Sequence, residues 1–260
     1  MGKLDEAIAG QSGFPRVMPG LDQPLTVPQK IACAARILDA EGYALDVAGH
    51  ITVVRDDDAD GSMWCTPYGL WWNEITASDI LAIDADGEVL EGRWDVTPAV
   101  HIHTEVHRAR PDARVVIHNH PYYGSLLSTM HKLPEITDQQ ACMFDGDIAL
   151  FGTYTGGVDD AAGGQHLADA VGSATAVILA NHGVLIAGET TEQAVYRASN
   201  FERVCRLNYD AMQAGQTPVP VPPDQRPTLK AAVNSHHMTV RYYWEGAVRR
   251  LLREAPEVLN

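Results

Sequence analysis

Eleven histidines stand in this sequence, and two of them are spaced as a pair of ligands would be, in Val115-Val116-Ile117-His118-Asn119-His120-Pro121. The β-branched apolar run predicts a buried strand, where residues i and i+2 point to one side, about 7 Å apart along the backbone. His118 and His120 therefore project together from the strand's C-terminal end, where Pro121 stops the ladder. A third imidazole follows a second apolar run, in Ala180-Asn181-His182-Gly183, with Gly183 letting the chain pass close by. Three neutral imidazoles with coordination positions left open suit one divalent transition metal, zinc, manganese, iron or cobalt, used as a Lewis acid. The plainer alternative is that each histidine is a satisfied core or surface residue.

Four further residues form H-x-H-x-E-x-H on an expected helix: His101, His103, Glu105 and His107. Spacing of four pairs His101 with Glu105 and His103 with His107, each pair on one face. This is not the H-E-x-x-H pattern of zinc proteases. Glu105 either orients a histidine or faces solvent. Of Tyr122 and Tyr123, directly after the H-x-H strand, one is expected to line a pocket and the other to pack. Arg93 and Arg108 could clamp a carboxylate bidentately or pair at the surface. The Asp56–Asp60 run reads as a solvated hairpin turn, because it lacks the ligand pattern of a calcium loop.

These residues need elements to hold them. Thr26 and Gln29 form a capping box around Pro28 and open a helix running to about Tyr43. Strands are expected at His50–Val54, Met63–Thr66, Ile80–Asp84, Arg114–His118, Ile148–Phe151 and Ala176–Leu179. Helices are expected over 97–110, Tyr122–His131, Asp138–Phe144 and Gly164–Val171, and from Thr190 to about Ala214, closed by Gly215. Pro218–Pro227 reads as a stiff surface segment and 228–253 as a terminal helix. Alternating strands and helices predict one α/β layered domain across 1–260, with an irregular arm over 1–25 and a helical extension over 218–260.

Charge and cysteine usage narrow the function classes. Lys plus Arg is 19 and Asp plus Glu is 34, giving a formal charge of −15. Nucleic acid is therefore not an expected partner, since it calls for a basic footprint. A small anionic substrate is compatible, because a local metal or arginine overrides the global field. The four cysteines, Cys33, Cys65, Cys142 and Cys205, are scattered and predict buried free thiols. Neither a signal peptide nor a membrane-spanning stretch is evident, so the expected location is cytoplasmic.

Taken together, His103, Arg110-Pro111-Asp112, Val115–His120 and Asn181-His182-Gly183-Val184-Leu185 resemble the class II aldolase/adducin family. Thr66-Pro67-Tyr68-Gly69 is similar to that family's threonine-proline-x-glycine loop, and Gly49-His50-Ile51-Thr52 stands at its glycine-asparagine turn. The resemblance spans about Thr26 to Ala214. It implies a three-layer α/β/α sandwich around a mainly antiparallel central sheet. It also implies a homotetramer with sites between neighbouring subunits, and His118, His120 and His182 as the metal ligands. His50, Thr66, Gly69 and Tyr123 become candidate substrate contacts, and His101 and His103 candidate catalytic groups.

The sequence departs from the family at the acid/base position. Aldolases of this family carry a glutamate four residues before His103, where this chain has Ala99. The serine pair before it is replaced by Thr97-Pro98, and the asparagine of the phosphate turn by His50. Without the carboxylate, one side of the metal opens to a substrate carboxylate free of like-charge repulsion. Family members with a small residue here include decarboxylases of hydroxy-aromatic carboxylates, which is the expected activity, with His101 as a proton donor near the vacated position. Trp64, Trp71 and Trp72 could supply flat apolar walls for a ring, or could pack the core or a subunit interface. The alternatives are a metal-dependent aldolase or dehydratase on an unphosphorylated hydroxy or keto acid, and a non-catalytic adducin-like module.

Overall fold

The computed structural model describes Glu6 and residues 20–56, 60–153 and 160–260. Most of the expected arm over 1–25, and the middle of the Asp56–Asp60 turn, lie outside the described residues. The helices used below are α1 (Val27–Ala40), α2 (His101–Ala109), α3 (Tyr122–Thr129), α4 (Ala161–Val171), α5 (Thr191–Gln213), α6 (Arg226–Val233) and α7 (Arg241–Glu254). The strands are β1 (His50–Val54), β2 (Met63–Cys65), β3 (Leu81–Ile83), β4 (Val89–Glu91), β5 (Val115–Asn119), β6 (Ile148–Phe151), β7 (Ala176–Leu179) and β8 (Gly183–Gly188).

α1 opens on the expected reciprocal cap: the Gln29 amide donates to Thr26 Oγ1 at 3.3 Å and the Thr26 amide to Gln29 Oε1 at 3.0 Å. α5 opens on Thr190, whose hydroxyl accepts from the Gln193 amide. The eight strands form one sheet in the order β4-β3-β2-β1-β5-β8-β7-β6. Neighbours are antiparallel except β6 and β7. The sheet is thus mainly antiparallel but mixed. A parallel pair needs a crossover, and α4 lies between those two strands in the chain.

The three layers follow from strand alternation. Ile51, Val53, Val115, Ile117, Ile178, Val184 and Ile186 point to one face and join a core with α1, α5 and α7. Val116, Val177, Leu179, Leu185 and Ala187 point to the other, against Ile102 and Val106 of α2 and Leu167, Ala168 and Val171 of α4. The central strands are buried on both sides, as the unbroken apolar runs at 115–117 and 176–179 require.

Three expectations are corrected. The helix expected over Asp138–Phe144 is only a 3-10 turn, Ala141–Phe144: the Asp138 carboxylate accepts from the Ala141 amide, but Gly146 turns the chain at φ +74° before an α-helix can extend. The terminal helix expected over 228–253 breaks between α6 and α7, where the Asn234 side-chain amide donates to the Lys230 and Met143 carbonyls and the chain passes through a π-turn, His236–Val240. β4 and β8 are strands where the pattern predicts none. β4 is exposed throughout, and β8 carries glycine at both ends. The C-terminal segment packs into the main core through Trp244, Val248 and Val258.

Candidate metal centre

β5 sits at the middle of the sheet, with His118 opposite His50 of β1 and Leu185 of β8. Directly opposed residues of an antiparallel pair share a face. His50, Thr52 and His118 therefore all look toward α2. His120 leaves the strand end, its amide donating to the Asn119 side-chain oxygen at 2.6 Å. His182 belongs to the three-residue connection between Leu179 and Gly183, where Asn181 adopts φ +55°. Asparagine tolerates this left-handed conformation better than most side chains, and His131 Nε2 donates to its side-chain oxygen at 2.7 Å.

Gly183 lets the two strand ends meet. A Cβ there would lie 2.6 Å from the Asn119 carbonyl oxygen and 2.6 Å from His120 Cδ2. Gly49, at φ +92°, serves β1 in the same way, since a Cβ would fall 2.6 Å from the Asn119 side chain. The outcome is that one ring nitrogen from each of His118, His120 and His182 lies within 4.8 Å of the other two.

Whether these residues fit a metal can be judged from their own hydrogen bonds. His118 Nδ1 donates to the Val184 carbonyl at 2.9 Å, which fixes its proton there and leaves the Nε2 lone pair for a ligand bond. His120 Nε2 is buried without a hydrogen-bond partner among the described residues, an orphan that an ion would satisfy. Burial holds the rings neutral: the His118 pKa lies well below the ordinary value, that of His120 is lowered, and that of His182 is pushed down to about 4. Three nitrogen donors, with no carboxylate among them, fit a borderline divalent ion.

A second row of imidazoles stands behind the trio. His50, its ring centroid 5.5 Å from that of His118, places Nδ1 at 2.9 Å from His103 Nε2. His103 Nδ1 is 2.7 Å from Thr52 Oγ1, which is also 2.7 Å from His107 Nε2. His107 Nδ1 donates to the Ala113 carbonyl at 2.6 Å. Burial lowers all three rings, His50 to about 3, His107 to about 4, and His103 well below the ordinary value.

These depressed rings carry an acid-stability prediction. Unfolded histidine takes up its proton near 6.5, whereas folded His50 and His107 do so only near 3 and 4. Below about pH 6.5 the unfolded chain binds more protons, so stability is full above that value and falls as pH drops toward the folded values. Urea midpoints measured between about pH 7 and 4.5 should fall steadily across the window; a flat profile would contradict the burial of neutral rings.

The other sequence-derived candidates divide. His103 joins the cluster through its hydrogen bond to His50. His101 is not in that row: it lies two residues from His103 on α2, a spacing that does not share a face, and is half-buried, with its Nδ1 buried and without a hydrogen-bond partner among the described residues. Thr66 pins β2 to β1, its hydroxyl accepting from the Ile51 amide at 3.0 Å. Gly69 turns its loop at φ +87° with open space around it. Tyr123 is half-buried and packs against the main core and against Tyr209 and Arg206 of α5. Of the four substrate-contact candidates, only His50 is shown beside the trio. Trp64 and Trp72 pack with the main core and only Trp71 is well exposed, so the three do not form one wall. Arg93 pairs with Asp79, and Arg108 with Glu105 and Asp86, so neither is a free clamp. All four cysteines are free and buried, with Cys33 and Cys65 pushed up by burial to about 12, too high for a nucleophile.

Glu202 is a participant that sequence reading missed. Its carboxylate accepts from the Tyr123 and Gly124 amides, each at 2.8 Å, and so caps α3 directly after the H-x-H strand. Pro121, at the cap position, has no side-chain oxygen to do so.

Comparison with known proteins gives the chain a family. The model of the class II aldolase and adducin N-terminal domain matches residues 29–209. The chain belongs to that family. Among curated family members, decarboxylase NovR of Streptomyces niveus is 34% identical over 209 residues, covering 79% of this chain and 76% of that protein. The 4-hydroxy-3-prenylphenylpyruvate oxygenase/4-hydroxy-3-prenylbenzoate synthase of Streptomyces roseochromogenus subsp. oscitans is 36% identical over 194 residues, covering 73% and 69%. Among solved structures of the family, L-fuculose 1-phosphate aldolase from Glaciozyma antarctica PI12 superposes with a TM-score of 0.81 at 26% identity, covering 100% of both chains. No helix among the described residues is long and apolar enough to cross a membrane.

Proposed function

We propose that this chain is a divalent-metal-dependent carbon–carbon lyase that decarboxylates a small hydroxy-aromatic carboxylate, with His118, His120 and His182 as the ligands. The observation that carries the reading is three converging neutral imidazoles in a chain with a methyl group, at Ala99, where aldolases of the family keep a carboxylate. The names of the two curated relatives, a decarboxylase and a prenylbenzoate synthase, support it. A homotetramer, as the family resemblance implies, and a cytoplasmic location belong to the same proposal.

A zinc, manganese, iron or cobalt ion held there would supply Lewis acidity to a substrate hydroxyl and carboxylate. The chain's own contribution is threefold. The trio is neutral, so it adds no charge to oppose an anion's arrival beside a cation. Ala99, in the 3-10 turn that leads into α2, puts a methyl where aldolases of the family keep a carboxylate, which spares the substrate like-charge repulsion there. His50 stands beside the trio as a neutral imidazole able to accept a hydrogen bond from a substrate hydroxyl. The balance is simple: the bond between ring and carboxyl carbon breaks, CO₂ leaves, and the electron pair stays on the ring carbon, which takes one proton.

The experiment is CO₂ release from a panel of dihydroxybenzoates, with the purified chain loaded in turn with each of the four metals. The expected result is CO₂ and the corresponding phenol in equal amounts. Two carbonyl fragments without CO₂ from a parallel panel of unphosphorylated hydroxy and keto acids would establish the aldolase reading instead, and CO₂ release that requires O₂ would place the chain with the relative whose name includes an oxygenase. A protein that binds no ion stoichiometrically would favour an adducin-like module.

A further inference from the structure

The row of side chains behind the trio has one consistent arrangement of protons, and that arrangement says what His50 can bind. The Ala113 carbonyl can only accept, so His107 carries its proton on Nδ1. A neutral His107 then offers a lone pair at Nε2, and Thr52 Oγ1, 2.7 Å away, must donate to it. A hydroxyl has one proton. Having given it to His107, Thr52 must accept from His103 Nδ1, also 2.7 Å away. His103 therefore presents a lone pair at Nε2, and His50 Nδ1 donates to that at 2.9 Å. With its proton on Nδ1, a neutral His50 has a bare Nε2 on the ring edge away from His103. The side chains of the row are buried or half-buried, with Thr52 and His103 fully enclosed. A backbone carbonyl just before β5 thus sets the tautomer of a ring that lies 5.5 Å from His118.

We propose that the Ala113–His107–Thr52–His103 chain is a positioning device that fixes His50 as a hydrogen-bond acceptor, so that the site selects acids presenting a hydroxyl there. The proposal rests on the decarboxylase reading for its ligand class, but its tautomer can be tested whether or not CO₂ is released. The residue that decides it is Thr52. Were the hydroxyl absent, His103 would lose the partner that fixes its proton on Nδ1, and the orientation of the whole row would be free to reverse. His50 would then present N–H to the substrate, which suits a carboxylate or ether oxygen rather than a hydroxyl.

Two measurements test this. The first is the ¹⁵N histidine spectrum of the full chain, with Thr52→Val, which keeps the shape, and Thr52→Ser, which keeps the hydroxyl. His50, assigned by its loss in His50→Gln, is expected to show the Nδ1-protonated tautomer in the parent chain and in Thr52→Ser. In Thr52→Val it should show a mixture or the Nε2-protonated form. The second is binding of each monohydroxybenzoate against its O-methyl ether by calorimetry on zinc-loaded protein. The hydroxyl preference of the best-bound isomer should fall by about tenfold in Thr52→Val, the scale of one hydrogen bond, and return in Thr52→Ser. Lower melting temperature in Thr52→Val with unchanged His50 tautomer and unchanged preference would show a purely structural threonine and overturn the proposal. A correct tautomer and preference in a protein that releases no CO₂ would overturn the decarboxylase reading and leave this one standing.

Discussion

His118→Ala is expected to abolish stoichiometric metal binding and, with it, CO₂ release. Among the three proposed ligands, His118 is the one whose orientation the fold fixes most firmly. It sits on the central strand, 2% exposed, and its Nδ1 proton is tied to the Val184 carbonyl of the neighbouring strand. Losing a partner that merely orients a ligand costs roughly 10–100-fold in metal affinity, and removal of the ligand itself should exceed that. What remains, His120 and His182, offers two nitrogens beyond the strand ends. Metal content after gel filtration, together with CO₂ release at saturating ion, measures the effect. Metal affinity and activity within about tenfold of the parent chain would exclude His118 as a ligand, because even an orienting partner accounts for a loss of that size.

Gly183→Ala is the second large effect, and it acts through the backbone. The added methyl would sit 2.6 Å from the Asn119 carbonyl oxygen and 2.6 Å from the His120 ring. The carbonyl is part of the sheet and cannot swing aside, while the ring is a proposed ligand. β5 and β8 must therefore spread at the point where they present their histidines. Overpacking of this kind costs about 1–3 kcal/mol, or roughly 3–10 °C in melting temperature for a chain of this size. The more telling consequence is a loss of metal affinity out of proportion to the loss of stability. An alanine chain that melts lower yet binds the ion as before would show that His120 has room to move.

The histidine trio was legible in the sequence because each member follows or ends an apolar run whose period the chain states plainly. β1, β5, β6 and β7 were legible for the same reason. The rest depends on contacts between distant segments. Spacing put His50 and Thr52 on one face of β1, and His103 and His107 on one face of α2, but nothing local says that these two faces meet. Only the β1–β5 register, His50 against His118, brings the helix row to the trio. His101 looked catalytic because it stands near the vacated Ala99, yet positions two apart on a helix do not share a face. Glu202 left no local sign, since it caps a helix that begins about 80 residues earlier in the chain. The tryptophans cluster in sequence but not in space, because a strand and a loop send Trp64 and Trp72 into the core and leave Trp71 outside.

The three-residue connection carrying His182 also bears on how the protein matures. Before β8 lies against β5, the chain owns a two-nitrogen site at His118 and His120 and a separate imidazole more than sixty residues away. Only the finished sheet has the third donor in reach. An ion held by all three rings therefore recognises the completed fold and not its precursors, and it stabilises that fold in proportion to the logarithm of its free concentration. Scarcity of metal would be felt first as shortened lifetime of the folded chain, before any shortage of active sites is counted.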